Sequence, residues 1–260
     1  MLNSNSSSLI IKIGGSTLGN QDTSFADIAS LHKNGAPLIL VHGGGPILTE
    51  WMDRLDIEAQ FSNGLRITDS SSLEVAVSVL SGLVNKQIVA ALRSEGVNAA
   101  GISGVDGGLI HGKIIDSSLG FVAGDIQVDK SILNSLVSKG FVPVISPIAI
   151  NIDNPDQLLN VNADTVAGTI AAEFKPENLI FMSDVDGILD QDGQVLKKIK
   201  IESVTPLIDS KIIHGGMIPK IQACLKAKMV GVHPAIINGT KANALLDYLN
   251  QNLLCTEIVD

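Results

Sequence analysis

"LILVHGGGPIL" (residues 38–48) runs from four apolar residues, through a histidine and three consecutive glycines, into the start of a helical pattern. Residues 38–41 have the length and composition of a buried strand. The stretch that follows, "PILTEWMDRL" (46–55), places Ile47, Leu48, Trp51 and Leu55 on one helical face. A strand that feeds a helix through a short turn is the repeating unit of a parallel α/β sheet. Three glycines are more than a tight turn requires. Bare backbone N–H groups at such a junction can hold an anion, helped by the helix dipole.

The same alternation continues along the 260 residues. Strands are expected at 9–13, 38–41, 97–101, 142–145, 179–182 and 235–237. Long helical patterns occupy "SSLEVAVSVLSGLVNKQIVAALRSEG" (71–96), with Gly96 as the C-cap, "NADTVAGTIAAEF" (162–174) and "PKIQACLKAKMVG" (219–231). Residues 108–129 read as a small hairpin region, and "DQDGQVLKKIK" (190–200) as another. "KPEN" (175–178) interrupts the apolar pattern and suggests an amino-terminal lobe of residues 1–175 and a carboxyl-terminal lobe of 176–260.

Composition narrows the function. Hydrophobic residues make up 45%, enough for a large core. Eighteen Lys and Arg face 27 Asp and Glu, a net charge of −9, and aromatics are only 3%, which argues against coating or stacking on nucleic acid. Cys224 and Cys255 are too few for a disulfide framework and lack metal-ligand spacing. No secretory pattern opens the chain and no uninterrupted run of about twenty apolar residues is present, so a cytoplasmic protein without a membrane partner is expected.

Several polar residues sit where packing alone would not put them. "LIIKIGGSTL" (9–18) carries Lys12 inside an apolar strand, followed by Gly14 and Gly15. A buried lysine is costly without an opposite charge. "HGGMIPKIQACL" (214–225) sets Lys220 in the first turn of a helix, beside the positive end of its dipole, which makes sense if an anion also lies there. "NGLRITD" (63–69) offers Arg66, whose fork suits a carboxylate, although a lone arginine is commonly a surface ion pair. "LLNVNADTVAG" (158–168) offers Asn160, Asn162 and Asp164 at a strand-to-helix passage, where capping accounts for one of the three. "FMSDVDGILDQDG" (181–193) ends a strand in Ser183-Asp184-Val185-Asp186-Gly187, at the sheet edge where open α/β folds bind ligands. Its register fails as a calcium loop. "GGLIHGKI" (107–114) has P-loop spacing, but Ile114 replaces the metal-binding hydroxyl and no helix pattern follows.

Together "KIGGS", "VHGGGP", "NGLRITD", "NVNAD", "SDVDG" and "GGMIPK", in this order, resemble the amino acid kinase superfamily, and within it the N-acetylglutamate kinases of arginine biosynthesis. The resemblance covers nearly the whole chain. It implies a three-layer αβα sandwich around a mainly parallel sheet, with an acyl amino acid held by the amino-terminal lobe and ATP by the carboxyl-terminal lobe. By position it implies that Lys12 and Lys220 stabilise the transferring phosphoryl group and that Asp164 holds them in place. Gly14, Gly15, Gly44 and Gly45 match backbone donors to phosphate and substrate. Arg66 and Asn160 match ligands of the substrate's carboxylate and acetamido ends. Ser183 to Gly187, with Ile213, Gly215, Gly216 and Met217, match the nucleotide-binding stretch.

The expected reaction is transfer of the ATP γ-phosphoryl group to the side-chain carboxylate of N-acetyl-L-glutamate. Mg2+ would be held mainly by the phosphates, without a protein metal site, and the chain is expected to form a homodimer. His42 reads as a loop-shaping residue, since a carboxylate acceptor needs no general base. Only about eight polar residues precede the first strand and Cys255 stands where relatives usually have glycine, so insensitivity to arginine is expected. The alternatives are a kinase for carrier-linked glutamate or aminoadipate, and a non-catalytic metabolite sensor on the same scaffold. A dehydrogenase would need a glycine fingerprint that is missing here.

Overall fold

The computed structural model describes residues 8–14, 24–62 and 64–260. In chain order the elements are β1 (Leu9–Ile13), α1 (Ser24–Lys33), β2 (Leu38–His42), α2 (Gly45–Arg54), β3 (Phe61–Ser62), β4 (Leu65–Arg66) and α3 (Ser70–Ala76). A π-helical segment, Val77–Val84, then runs into α4 (Asn85–Ser94). β5 (Ala99–Ser103), β6 (Ile110–Ile114), β7 (Val122–Val128), α5 (Ser131–Ser138), β8 (Val142–Ser146), β9 (Ile148–Asn151), β10 (Leu158–Val161) and α6 (Ala163–Phe174) follow. The last third contains β11 (Asn178–Ser183), β12 (Lys198–Lys200), α7 (Val204–Asp209), α8 (Met217–Lys228), β13 (His233–Asn238), α9 (Ala244–Leu249) and β14 (Thr256–Val259).

Eight strands form one sheet in the order β12-β14-β13-β11-β1-β2-β8-β5. Every pairing in it is parallel except β13 with β14. The strands are apolar on both faces, as a sheet covered on both sides must be. Alternate residues supply two cores. Ile10, Val41, Phe181 and Ile236 face α5, α6 and α8, whereas Ile11, Leu40, Ile180 and Ile237 face α1, α2, α4 and α9. This is the expected three-layer sandwich, with helices on both faces of the sheet.

Some boundaries and faces differ from the expectation. β5 begins at Ala99, because Gly96 takes φ +82 and the Val97 N–H turns back to Leu92 O to close the preceding helix. On α2 it is Leu48 and Met52 that are fully buried, whereas Leu55 lies past the helix end and is 54% exposed. The hairpin expected in 108–129 exists as β6 and β7, but it closes with β9 and β10 into a four-stranded barrel. Residues 190–200 give a narrow turn bridged by Leu189 and Val195, then β12. Among the described residues, Ser70–Ser94 is the one helix long and apolar enough to cross a bilayer. Here Leu80, Val84, Ile88 and Leu92 pack it into the core.

Candidate active site

Lys12 lies mid-strand on β1, in register with Val41 and Phe181, so its side chain emerges on the face covered by α6 and α8. Both helices begin beneath it. Asn162 caps α6, accepting from the Asp164 and Thr165 N–H groups at 2.9 and 3.1 Å. That cap leaves Asp164 in the first turn, where the dipole favours negative charge. Asp164 Oδ1 meets Lys12 Nζ at 2.8 Å, and Lys220 Nζ lies 3.2 and 3.3 Å from Asp164 Oδ2 and Oδ1. Lys220 also stands over the Phe181 ring, 5.2 Å from its centre.

All three groups are sealed, with exposures of 8% for Lys12, 7% for Lys220 and 6% for Asp164. Burial lowers the Lys12 pKa, with repulsion from Lys220 in the same direction and attraction to Asp164 opposing it. Burial alone would raise the Asp164 pKa, but the two ammonium groups outweigh it and hold the carboxyl below its ordinary value. Two cations share one anion. A buried cluster with one surplus positive charge is unfavourable by itself, and an anion entering beside it would relieve that cost.

A cavity of about 210 Å³ opens from this cluster and is lined by Gly44, Gly45, Arg66 and Asn160 together with Lys12 and Asp164. Arg66 is no surface ion pair. It is buried, donates to Thr49 Oγ1 at 2.7 Å and Gly45 O at 3.2 Å, and stacks 4.6 Å from the Phe61 ring centre. Burial lowers its pKa, Asp53 opposing, so its guanidinium is partly desolvated beside the cavity. Asn160 Nδ2 donates to Thr68 Oγ1 at 3.2 Å, leaving its carbonyl oxygen for a ligand. His42 is fully buried and its pKa falls to about 4, chiefly through burial.

Of the remaining expected residues, Gly14 follows β1, Ser183 to Gly187 end and follow β11, and residues 213–217 lead into α8. Gly14 donates its N–H to Met182 O at 3.2 Å; Gly15 lies outside the described residues. Ser183 ends β11, Asp184 is exposed, and Asp186 accepts from Lys241 Nζ at 2.6 Å and Asn238 Nδ2 at 2.8 Å. Gly187 has φ +143, and a β-carbon there would meet Thr256 Oγ1 at 2.4 Å. Val185, Gly187, Leu189, His214 and Met217 line an open cleft of about 530 Å³. Gly215, at φ +55, and Gly216 are exposed before α8. Ile213 differs: its side chain is in the core and its N–H is bonded to Leu207 O, so only its carbonyl can face the cleft.

Thr49, Thr68, Asn238 and Lys241 were not singled out from the sequence. "NGTK" (238–241), polar residues directly after a strand, was the available signal for the last two. The threonines had none, since each works by orienting a neighbour. Among the described residues, no three His, Cys, Asp or Glu side chains gather as a metal site.

Known proteins match the chain over nearly its whole length. The Amino acid kinase family matches residues 7–238. An acetylglutamate kinase of Dehalococcoides mccartyi (strain ATCC BAA-2266 / KCTC 15142 / 195) is 40% identical over 255 residues, covering 96% of this chain and 94% of the relative. An acetylglutamate kinase of Prochlorococcus marinus (strain MIT 9301) is 42% identical over 246 residues, covering 92% and 86%. Among solved structures, smu.665 from Streptococcus mutans UA159 superposes with a TM-score of 0.83 at 28% identity, covering 96% of this chain and 98% of the other.

Proposed function

The chain belongs to the amino acid kinase family, and from that footing we propose that it transfers the γ-phosphoryl group of ATP to the side-chain carboxylate of N-acetyl-L-glutamate. The observation that carries this reading is a buried pair of lysines sharing one carboxylate, with Lys12 and the carboxylate of Asp164 lining a glycine-bordered cavity. The acceptor carboxylate has an ordinary pKa of about 4.3 and arrives ionised, so no base has to remove a proton. Its oxygen attacks the γ-phosphorus, the bond to the β–γ bridging oxygen breaks, and ADP leaves with that electron pair. The obstacle is repulsion between two anions, about 4 kcal/mol per charge pair at 4 Å and an effective dielectric near 20.

Lys12 and Lys220 offset it, one from each lobe, and Asp164 keeps both ammonium groups pointed at the same place before substrate arrives. Gly44 and Gly45 present backbone donors; the Gly14 N–H is bonded to Met182 O, so Gly14 is no donor to the phosphate. Arg66 takes the α-carboxylate and Asn160 the acetamido end. The amino-terminal lobe (1–175) holds the acyl amino acid; the carboxyl-terminal lobe (176–260) holds the nucleotide through 183–187 and 213–217. Both oxygens of Asp164 are engaged by lysines, so Mg2+ enters bound to the ATP phosphates, whose charge it neutralises. The reading includes a homodimer acting in the cytoplasm, in arginine biosynthesis.

Hydroxamate trapping of the acyl phosphate tests it, using ATP, magnesium and a panel of glutamate, N-acetylglutamate and N-acetylaminoadipate. Product should form with N-acetylglutamate and far more slowly with the others. No trapped product, or a preference for another member of the panel, would overturn it.

A further inference from the structure

Behind the glycine loop lies a buried polar pair that phosphoryl transfer does not use directly. His42 ends β2 and Asn85 opens α4, and both are 0% exposed. The amide nitrogen of Asn85 faces Val144 O at 2.9 Å, Ile102 O at 3.4 Å and His42 Nε2 at 3.2 Å. Its oxygen accepts from Lys86 Nζ at 2.9 Å. A group that meets two carbonyls has to be a donor, so the ring nitrogen beside it accepts. The ring proton is therefore on Nδ1, which donates to Gly43 O at 2.7 Å. Burial, aided by Lys12 and Lys86, keeps the ring neutral, so this tautomer persists at neutral pH.

The local backbone converts that bond into an aim. The described residues contain no cis peptide, so the Gly43 carbonyl and the Gly44 N–H point in opposite directions. Pinning the carbonyl to the ring turns the Gly44 N–H away from it. Gly44 lines the cavity, and no acceptor among the described residues meets its N–H. The Gly43 N–H is tied to Ile13 O at 3.0 Å, which fixes the other side of the loop to the Lys12 strand.

The π-helical segment brings Asn85 to this position. Its helix buries one stripe at Ala76, Leu80, Val84, Ile88 and Leu92, four residues apart, with Leu73, Val75 and Val79 buried beside it. An α-helix, at about 3.6 residues per turn, would drift off one face at that spacing, and the wider π turn takes up the drift. Leu80 and Val84 also pack on Gly44, where a β-carbon would meet Leu80 Cδ2 at 2.7 Å.

We propose that His42 and Asn85 are positioning residues for the transfer, Asn85 selecting the His42 tautomer and His42 aiming the Gly44 N–H at the phosphoryl oxygens. The proposal rests on the kinase reading above. Two substitutions separate the two ring nitrogens: in His42→Asn the side-chain amide can replace Nδ1–H, and in His42→Gln it can replace only the Nε2 contact. With folding checked by circular dichroism, His42→Asn should keep kcat within a few-fold of wild type. His42→Gln should lose about 10- to 100-fold, less than deletion of such a donor, with KM for the acyl amino acid little changed. Equal kcat in the two variants, or a loss confined to KM, would overturn the proposal. The Gly44 amide resonance in ¹⁵N-labelled protein gives a second reading that needs no turnover. It should move in His42→Gln and stay near wild type in His42→Asn, and the reverse pattern refutes the aim. An inactive wild type would count against the kinase reading, while the resonance would still decide the positioning.

Discussion

Lys12 Nζ lies 2.8 Å from Asp164 Oδ1, a contact between a strand at one end of the chain and a helix start about 150 residues later. Neither group is needed to complete the sheet or the helix that carries it. What the pair does is fix a second ammonium group, Lys220, within the same small volume.

Because that volume holds two cations and one anion, removing a cation should relieve the folded state. Lys12→Met, close in length and apolar, is expected to raise the thermal midpoint by a few degrees, since about 1 kcal/mol moves a chain of this size by 2–4 °C. Turnover should fall at least about 100-fold. Thermal unfolding and the hydroxamate assay on the same preparation check this; a variant that loses stability and activity together would make Lys12 mainly structural.

The geometry of the pair depends on how closely α6 and α8 approach. Gly168 sits one turn beyond Asp164, and a β-carbon there would stand 2.6 Å from Ala223 Cβ and 2.7 Å from Ala223 Cα. Gly168→Val must push the helices apart, at a cost of about 1–3 kcal/mol. It should also lower kcat, because Lys220 rides on α8 and Asp164 on α6. Urea unfolding with steady-state kinetics tests both effects, and an unchanged kcat would show that the approach of the helices does not set the site.

Arg66 presents its fork through Thr49 and Gly45. Arg66→Lys keeps the charge but not the bidentate geometry, so it should raise KM for N-acetylglutamate about tenfold or more with a smaller change in kcat. An unchanged KM would remove Arg66 from the substrate-binding set.

His42 predicts a pH dependence of stability. Its folded pKa is about 4 against an ordinary 6.5, so the unfolded chain takes up the proton first as pH falls. The neutral ring's contribution is complete above about pH 6.5 and declines as pH drops towards 4, with a limiting slope of about 1.4 kcal/mol per unit. Between pH 7 and 5 wild type should lose about 2 kcal/mol more than His42→Gln in urea unfolding. Parallel losses in the two proteins would contradict the buried neutral ring.

Much of this was legible in the residues. Lys12 declared itself because an apolar strand has no other use for a cation, and Lys220 because it opposes its helix dipole. The strands at 9–13 and 38–41 were readable as short apolar runs between turn signals, and both were found. The barrel of β6, β7, β9 and β10 was hidden because closure depends on pairings distant in sequence. The helix from Ser70 to Ser94 was legible, but its π interior was not, because Leu73, Val75 and Val79 are buried beside the four-residue stripe from Ala76 to Leu92 and blur its period. Leu55 was misplaced because periodicity does not say where a helix stops. Arg66 could not be told from a surface ion pair until Phe61 and Thr49 were seen around it.

The most direct measurement is a crystal structure with ADP, magnesium, aluminium fluoride and N-acetylglutamate, in which the fluoride complex takes the place of the migrating phosphoryl group. The account predicts that Lys12 Nζ and Lys220 Nζ both lie within about 3.2 Å of its ligands, with the acceptor carboxylate in line. A complex bound with either nitrogen turned away, or with the nucleotide lodged outside the cleft beside Gly187 and Met217, would contradict it.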